Sequence, residues 1–407
     1  MKAVLFYVLI SLGFAGQLTA QKSCATISYT QRQSQNDLSV TGNNTIATFS
    51  PQEAVTPGTE GISSGSVITI PVVVHILYHT PSEKISDAVV IEQLKILNKC
   101  FRHQNADSVN TPAVFKSLAA DCEIEFKLAT SDPKKKYTTG IVRKYTPVTS
   151  WSFDDKVKFS AEMGDDAWDP KSYLNIWVCS LGDFAGYSSV VGGPQNVDGI
   201  VLGFPVFGAD QKTIVHEAGH WLNLKHLWGD ENCGDDGVSD TPKQASYTGG
   251  CPTGVRITCG NSPNGDMYSN YMDFTDDACT NLFTLGQKAR MKALFATGGA
   301  RNSFLSSKGL DAPLIFEIPV PEEDPKWLQP KLYPVPATTQ LTLDLSYDVR
   351  WVGKSIQITN LQGQTIMVVT ITSKMQQIDI SRLQPGMYFL AAKKGDGESI
   401  KQKFIKL

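Results

Sequence analysis

The sequence predicts an α/β (α+β) domain followed by a small all-β sandwich. The first domain is indicated by VITIPVVVHILY, a continuous β-branched run from Val67, which precedes an amphipathic helical pattern. Residues 332–407 instead contain short alternating strands separated by turns such as LQGQ and QPG, as in antiparallel sandwiches. Between the two patterns, the charged, proline-rich residues 321–331 predict a linker.

The N-terminal residues predict segments that precede the folded domain. In residues 1–20, Lys2 comes before a short apolar run, and Ala20 offers a small residue for cleavage. This pattern is typical of a secretory signal peptide. Residues 21–66 are polar and show no periodicity, so we expect a propeptide or a loosely ordered arm. The first folded domain is then expected to cover residues 67–320.

Helical and strand patterns follow in order along that domain. Asp87 begins the helical pattern DAVVIEQLKILNKCF, and the strand-like runs EIEFKLA and YLNIWVCSL come next. The glycine-rich span GYSSVVGGPQNVDGIVLG leads into a histidine-containing helix, and the last helix is expected near LGQKARMKALFAT. In the sandwich we expect strands at QLTLDL, KSIQITN, QTIMVVTI, MQQIDI and GMYFLAAKK.

Charge and cysteine content narrow the class of protein. The formal net charge is −3, and both signs are spread along the chain, so we expect no nucleic-acid surface. We also expect a monomer. Eight cysteines in an exported chain indicate disulfides, although free buried cysteines are the alternative. Four of them, which sequence alone can pair in three ways, cluster together: Cys233, Cys251, Cys259 and Cys279.

The segment TIVHEAGHWLNLKHLW, residues 213–228, predicts a metal site. His216 and His220 are four residues apart, so on a helix they lie on one face and can bind one ion. Imidazole nitrogens bind zinc at about 2.0–2.1 Å. His226 can join them only if the helix ends and the chain turns back. Asn223 is suited to that turn, because asparagine tolerates the left-handed conformation.

The same segment also holds a candidate base. Three neutral histidines leave one zinc position for a water, whose pKa can fall from about 15.7 to about 7. Glu217 follows the first ligand and can take the proton of that water as general base, which favours peptide hydrolysis. The alternative is a structural zinc site, but such sites usually have four protein ligands and need no glutamate there.

These motifs resemble those of a known family. HEAGHWLNLKH resembles the extended zinc signature of the metzincin metallopeptidases, and NYMDF resembles their Met-turn, with Met272 below the metal. From Val67 to Arg301 the chain is similar to the pappalysin family, above all to its small prokaryotic members. The resemblance implies a secreted zinc endopeptidase, made as a zymogen, whose domain is split by an active-site cleft. Asn223 replaces the usual glycine, and Phe274 replaces a tyrosine whose hydroxyl can bind an oxyanion.

The resemblance also implies further site residues. It indicates a calcium site in the acidic loop 229–241, for which Asp236, Asp240 and Thr241 are the best matches, whereas a bare charge run indicates a solvated loop. It implies the disulfides Cys233–Cys259 and Cys251–Cys279. It places Asp277 in the pocket for the residue after the cleaved bond, where a carboxylate favours Arg or Lys. The alternative is a surface or calcium-binding aspartate.

The C-terminal segment is similar to the sorting domains of type IX secretion. LYPVPA at residues 332–337, LQPGMYFL and the final QKFIKL carry the similarity. It implies contact with an outer-membrane secretion machinery, and a protein that is extracellular or attached to the bacterial cell surface. An ordinary β-sandwich binding module is the alternative.

Cys24 suggests how a precursor is kept inactive. It lies in a polar segment, and a thiolate is a good fourth zinc ligand that would displace water. We therefore expect Cys24 to block the metal, with a disulfide to Cys179 or to another unpaired cysteine as the alternative. Cleavage before basic residues would make Arg32 the expected self-processing site. Two other functions stay open: an adhesin with a vestigial metal site, and a zinc hydrolase of non-peptide substrates.

Overall fold

The structure is a computed structural model that describes residues 24–40, 66–319, 324–395 and 398–407. The predicted signal peptide, residues 1–20, lies outside the described residues, as do residues 41–65 of the predicted arm. The helices are α1 (Thr26–Val40), α2 (Asp87–Phe101), α3 (Thr213–Trp221) and α4 (Leu285–Ala293). The strands of the first domain are β1 (Ile68–Tyr78), β2 (Ile124–Leu128), β3 (Ile141–Tyr145), β4 (Leu174–Cys179), β5 (Gly186–Ser188) and β6 (Ile200–Gly203). Those of the C-terminal domain are β7 (Lys331–Tyr333), β8 (Gln340–Asp344), β9 (Ser355–Thr359), β10 (Thr365–Thr370), β11 (Met375–Asp379), β12 (Gly386–Lys393) and β13 (Ser399–Lys406).

The first domain is built on a twisted, mostly parallel sheet. Its strand order is β2-β1-β4-β6-β5, with β3 also paired to β1. Every pair is parallel except β5 with β6. Alternate side chains of β1 and β4 pack with α2 and α3 in one buried apolar cluster, which is why these strands are continuous hydrophobic runs. The predicted α/β class is confirmed.

The edge strand β5 lies beside the histidine helix α3. At Gly186 an added Cβ atom would lie 2.9 Å from the Val201 carbonyl oxygen and 3.1 Å from Glu217 Cγ. Only glycine therefore permits this close approach of β5 to α3. The sheet edge therefore lies directly against the histidine helix.

Residues 222–284, all of them described, form no regular helix or strand. The disulfides Cys233–Cys259 and Cys251–Cys279 hold this irregular half together, with the pairing that the family resemblance implies. The remaining cysteines of the chain are free thiols, so the alternative Cys24–Cys179 disulfide is not formed.

The C-terminal domain is the predicted β-sandwich. A four-stranded sheet, β10-β9-β12-β13, faces a three-stranded sheet, β11-β8-β7, and all their pairs are antiparallel. Inward residues of both sheets, such as Leu343, Ile358 and Phe404, share one buried cluster. Of the helices described here, none has the length and apolar character needed to cross a bilayer.

The prediction of an arm without regular structure was wrong for residues 26–40, which form α1. The polar sequence of α1 has no continuous apolar stripe. Ala25, directly before α1, and Thr26 and Tyr29 of its first turns are instead buried against the first domain. Tertiary contact therefore stabilises a helix that periodicity does not predict. The short strands β3, β5 and β6 were also not predicted.

Candidate metal centre

Helix α3 places the first two histidines. His216 and His220 lie one turn apart on this nine-residue helix, whose residues are all buried. The helix ends as expected, because Asn223 adopts a left-handed φ of 71°. The Leu224 amide then donates to the Gly219 carbonyl at 2.9 Å, and the chain returns with His226 beside the other two rings.

Each of the three imidazoles donates its Nδ1 proton to an oxygen. The acceptors are the Tyr271 carbonyl at 2.7 Å for His216, the Leu224 carbonyl at 2.9 Å for His220, and Asp230 Oδ1 at 2.5 Å for His226. A carbonyl or carboxylate oxygen can only accept, so each neutral ring carries its proton on Nδ1 and a lone pair on Nε2. Burial lowers the pKa of His220 well below its usual value, and the nearby His226 lowers it further.

The three Nε2 atoms converge on one point. They lie 3.1–3.2 Å from one another. Lone pairs this close repel unless a cation lies between them. Tetrahedral zinc with bonds of about 2.0–2.1 Å separates its nitrogens by about 3.3 Å. The donor atoms present therefore fit a zinc ion.

The arm brings a fourth donor to the same point. One ligand atom from each of Cys24, His216, His220 and His226 lies within 4.8 Å of the others. Cys24 forms a parallel β-bridge with Gly186, and the neighbouring Ala25 amide donates to the Gly186 carbonyl at 2.9 Å. The arm thus extends the sheet edge above the metal centre.

The arm also covers the candidate base. Glu217 is fully buried, and its Oε2 atom accepts the Thr26 hydroxyl at 2.9 Å. That hydroxyl accepts the Ser188 amide at 3.0 Å, which fixes its orientation. The Cys24 thiol hydrogen-bonds to Glu217 as well, and burial followed by the Glu217 charge raises the pKa of this thiol well above its usual value. Thr26 was not predicted as a site residue.

Met272, the predicted Met-turn residue, packs against the histidine helix. Its side chain is fully buried, and an added Cβ atom at Gly219 would lie 2.4 Å from the Met272 sulfur. The glycine between Glu217 and His220 therefore lets α3 rest directly on Met272. The turn is held by Asn270, whose Oδ1 accepts the Met272 amide at 2.9 Å.

Two further residues beside the histidines, Asp230 and Trp228, were not assigned a role from sequence. Asp230 orients His226, as described above, and Trp228 stacks on the His226 ring at 4.4 Å between centroids. Both belong to HLWGD, so their proximity to the last ligand was the available signal. Phe274 packs against the His216 and His226 rings at 5.6 and 4.9 Å between centroids.

Comparison with known proteins places this geometry in a family. Residues 158–296 match the family model described as Pregnancy-associated plasma protein-A. The structure of mirolysin in complex with a compound is 46% identical, with a TM-score of 0.58, and the match covers 59% of this chain and 96% of that chain. The chain belongs to the pappalysin family. A Tannerella forsythia promirolysin mutant is 45% identical, with a TM-score of 0.58, over 59% of this chain and 84% of that chain.

Curated relatives match a shorter part of the chain than the solved structures do. An extracellular metalloprotease of Pyricularia oryzae is 52% identical over 86 residues, and one of Verticillium alfalfae is 47% identical over 83 residues. These matches cover 21% and 20% of this chain, which spans only 30% of the length of each relative. Residues 331–407 match a secretion system C-terminal sorting domain. The chain is therefore a secreted or cell-surface protein.

In the acidic loop of the pappalysin domain, only two of the three residues predicted for calcium lie together. The Thr241 hydroxyl lies 2.9 Å from each carboxylate oxygen of Asp236, and burial raises the pKa of Asp236 to about 6. Asp240 does not join them. Its two oxygens instead accept the Thr284 hydroxyl at 2.7 Å and the Gly286 amide at 2.8 Å, at the start of α4. An aspartate at a helix N-terminus is stabilised in this way.

Asp277 lies at the start of α3. Its Oδ2 atom accepts the Lys212 amide at 2.9 Å, directly before the first helical residue. The Lys212 ammonium contacts the Asp277 carbonyl oxygen at 2.6 Å but forms its ion pair with Asp107, also at 2.6 Å. The Asp277 carboxylate therefore helps to hold the helix that carries the histidines, a role that the sequence did not indicate.

Proposed function

We propose that the protein is a secreted zinc metalloendopeptidase, made as a zymogen. The observation that carries this proposal is the convergence of three Nε2 lone pairs beside the buried carboxylate of Glu217. Mature mirolysin of Tannerella forsythia has been solved in complex with a cleaved peptide, at 45% identity and over 96% of that chain. That relative supports a peptide as the substrate. A vestigial site in an adhesin would have no reason to retain Glu217.

Different residues of this chain would bind the metal and transfer the proton. His216, His220 and His226 would hold zinc, which when bound supplies Lewis acidity to a water and to the carbonyl of the bond that is cut. Glu217 accepts the proton of the attacking water and then gives it to the leaving nitrogen. The phenyl ring of Phe274 offers no hydroxyl to the developing oxyanion, so it acts through packing against the ligands.

A digest tests this function directly. The arm-free protein is incubated with a protein substrate, with and without a zinc chelator, and the new N-termini are sequenced. We expect cleavage that the chelator abolishes and added zinc restores. Cleavage that persists with the metal removed, or no cleavage by the zinc-loaded protein, would contradict the proposal.

Latency is proposed to come from two neighbouring residues of the arm. Cys24 would occupy the fourth zinc position, and the Thr26 hydroxyl covers Glu217. The arm pairs with Gly186, so it also occupies the sheet edge that borders the cleft. The solved promirolysin mutant, whose name denotes a precursor, agrees with a precursor form in this family.

Removal of the arm must then precede activity. The bond before Arg32 lies inside helix α1, whereas a protease cleft binds its substrate as an extended chain. Cleavage there therefore requires the helix to unwind first. We propose that the propeptide comprises residues 21–66, so that the mature domain begins at residue 67, just before β1.

The remaining partner is proposed from the C-terminal domain. Residues 332–407 would contact the outer-membrane machinery of type IX secretion, and residues 321–331 would link them to the catalytic domain, residues 67–320. We propose a monomer, because this chain supplies every residue of the metal centre.

Cleavage specificity can be tested at Asp277. We expect the mature enzyme to cut before Lys or Arg, because the carboxylate can pair with a cationic side chain. Asp277→Asn keeps an oxygen for the Lys212 amide but removes the charge. It should lower the preference for basic residues by roughly 10- to 150-fold, the equivalent of 1.5–3 kcal/mol.

Cleavage-site sequencing measures that preference. Zinc content and melting temperature should not change in Asp277→Asn, and Asp276→Asn is the matched control. A wild-type enzyme that cuts mainly before apolar residues would show that the assigned pocket is wrong.

A calcium site is proposed at Asp236 and Thr241. Calcium at about 100 times its Kd adds about 2.7 kcal/mol to the free energy of unfolding, or roughly 5–10 °C in melting temperature. We expect this rise in the wild type and its loss in Asp236→Ala. The exposed neighbour Asp235, replaced by alanine, is the control and should keep the rise. An equal rise in Asp236→Ala would place calcium elsewhere.

A further inference from the structure

Tyr29 of the arm is buried against strands of the first domain. Only 2% of its surface is exposed, and it packs with Trp177 of β4 and Tyr187 of β5. The neighbours of Trp177 along β4, Ile176 and Val178, belong instead to the apolar cluster beneath α2 and α3. Side chains alternate between the faces of a strand. Tyr29 therefore reaches the opposite face of the sheet from the one that α3 covers.

Four residues form the walls of this site, which we call the tyrosine recess: Asp155, Lys158, Trp177 and Tyr187. Lys158 is fully buried. Its ammonium forms an ion pair with Asp155, 2.7 Å from Oδ1, and donates a hydrogen bond to the Val197 carbonyl at 2.7 Å. It lies 5.1 Å from the centroid of the Tyr29 ring and 5.0 Å from that of Tyr187. A cation near aromatic faces is attracted to them, most strongly where water is absent.

The recess also recognises the phenol hydroxyl. The Tyr29 hydroxyl donates to Asp155 Oδ2 at 3.0 Å, and it accepts the Gln33 amide at 2.7 Å from the next turn of the arm. The ring-binding surface and the carboxylate thus match the two parts of a tyrosine side chain. A phenylalanine in place of Tyr29 would leave Asp155 Oδ2 without its phenol donor.

The walls of the recess do not depend on the arm. Trp177 and Tyr187 are fixed on strands, and Lys158 is held by Asp155 and Val197, which all belong to the first domain. Loss of the arm would remove the occupant and leave its partners in place. A buried ion pair beside exposed aromatic faces would then be open to another ligand of the same chemistry.

We propose that the tyrosine recess is a binding site for a tyrosine side chain, separate from the metal centre and retained after the arm is removed. In the precursor the recess is occupied by Tyr29. In the mature enzyme it binds a tyrosine side chain of a peptide, and the released arm is the first such peptide. The proposal rests on the proposed function in one respect, because it takes the arm to be removed. Binding at the recess also fixes the start of α1, and with it the position of Cys24.

The test uses p-cresol, a small molecule with the structure of the tyrosine side chain. The protein is the full-length precursor that carries Tyr29→Ala. At about ten times its Kd, p-cresol should raise the melting temperature of this variant by roughly 3–6 °C. Toluene, which lacks the hydroxyl, should raise it less. The wild-type precursor should not respond, because Tyr29 fills the recess. Ser28→Ala, an exposed change in the same helix, should behave as wild type.

The mature enzyme should respond to p-cresol as Tyr29→Ala does. No response in either protein, or an equal response in the wild-type precursor, would overturn the proposal. Tyr29→Phe gives a second test, since its precursor should expose Cys24 to alkylation roughly 10- to 150-fold faster through loss of the hydrogen bond to Asp155. The rise in melting temperature with p-cresol depends on neither zinc nor Cys24. Failure of the zymogen proposal would therefore leave this result unchanged.

Discussion

Glu217→Ala is expected to lower peptide hydrolysis by the arm-free protein by roughly 10⁴-fold, at the upper end of the effect of a general base. Among the described residues, Glu217 is the only carboxylate on α3, and the Thr26 hydroxyl of the arm binds it directly. Once the arm leaves, the same oxygen is open to a water. The kcat/KM of a peptide substrate measures the loss.

The controls for Glu217 separate chemistry from metal binding. Zinc content should stay at one per chain in Glu217→Ala, because the three histidine Nδ1 atoms keep their acceptors. Glu217→Gln preserves the shape of the side chain and should be almost as inactive, since an amide cannot accept the proton. A zinc-loaded Glu217→Ala that cuts at the wild-type rate would refute the assigned mechanism.

Cys24→Ala is expected to raise the activity of the intact precursor by at least about 100-fold, equivalent to about 2.8 kcal/mol of arm binding. The change removes the sulfur donor that lies within 4.8 Å of the histidine ligand atoms. The fourth position at the metal would then be open to water. Hydrolysis by precursor that has been checked for an intact N-terminus gives the measurement.

Two further variants refine the Cys24 result. Thr26→Val removes the hydroxyl that binds Glu217 but keeps the sulfur, so its precursor should gain less activity than Cys24→Ala. Ser28→Ala should remain fully latent. A Cys24→Ala precursor as inactive as the wild type would show that the thiol does not block the metal, and that the bound arm alone closes the cleft.

The cluster of candidate metal ligands could be predicted because these residues are local in sequence. His216, Glu217, His220 and His226 lie within eleven residues, and the helical repeat and the turn at Asn223 suffice to bring the ligands together. The same holds for the long strands and for α2, whose periodicity reflects burial against a single core. The disulfide pairing came from family resemblance, since sequence alone allows three pairings.

What could not be predicted depends on distant contacts. Helix α1 lacks an apolar stripe, and its Tyr29 is buried by residues more than a hundred positions away. Thr26 meets Glu217 across 191 residues. Asp240 is a second example, since family resemblance suggested calcium there, and the sequence did not indicate the hydrogen bonds that its oxygens accept at the start of α4. Acidic composition does not tell these two uses apart.

Zinc X-ray absorption on the intact precursor shows directly whether Cys24 blocks the metal. We expect three nitrogen neighbours at about 2.0–2.1 Å and one sulfur at about 2.3 Å. The sulfur signal should be absent from Cys24→Ala and from the arm-free enzyme, while the three nitrogens remain. A wild-type precursor whose zinc has only nitrogen and oxygen neighbours, or a sulfur signal that survives in Cys24→Ala, would show that Cys24 is not a zinc ligand.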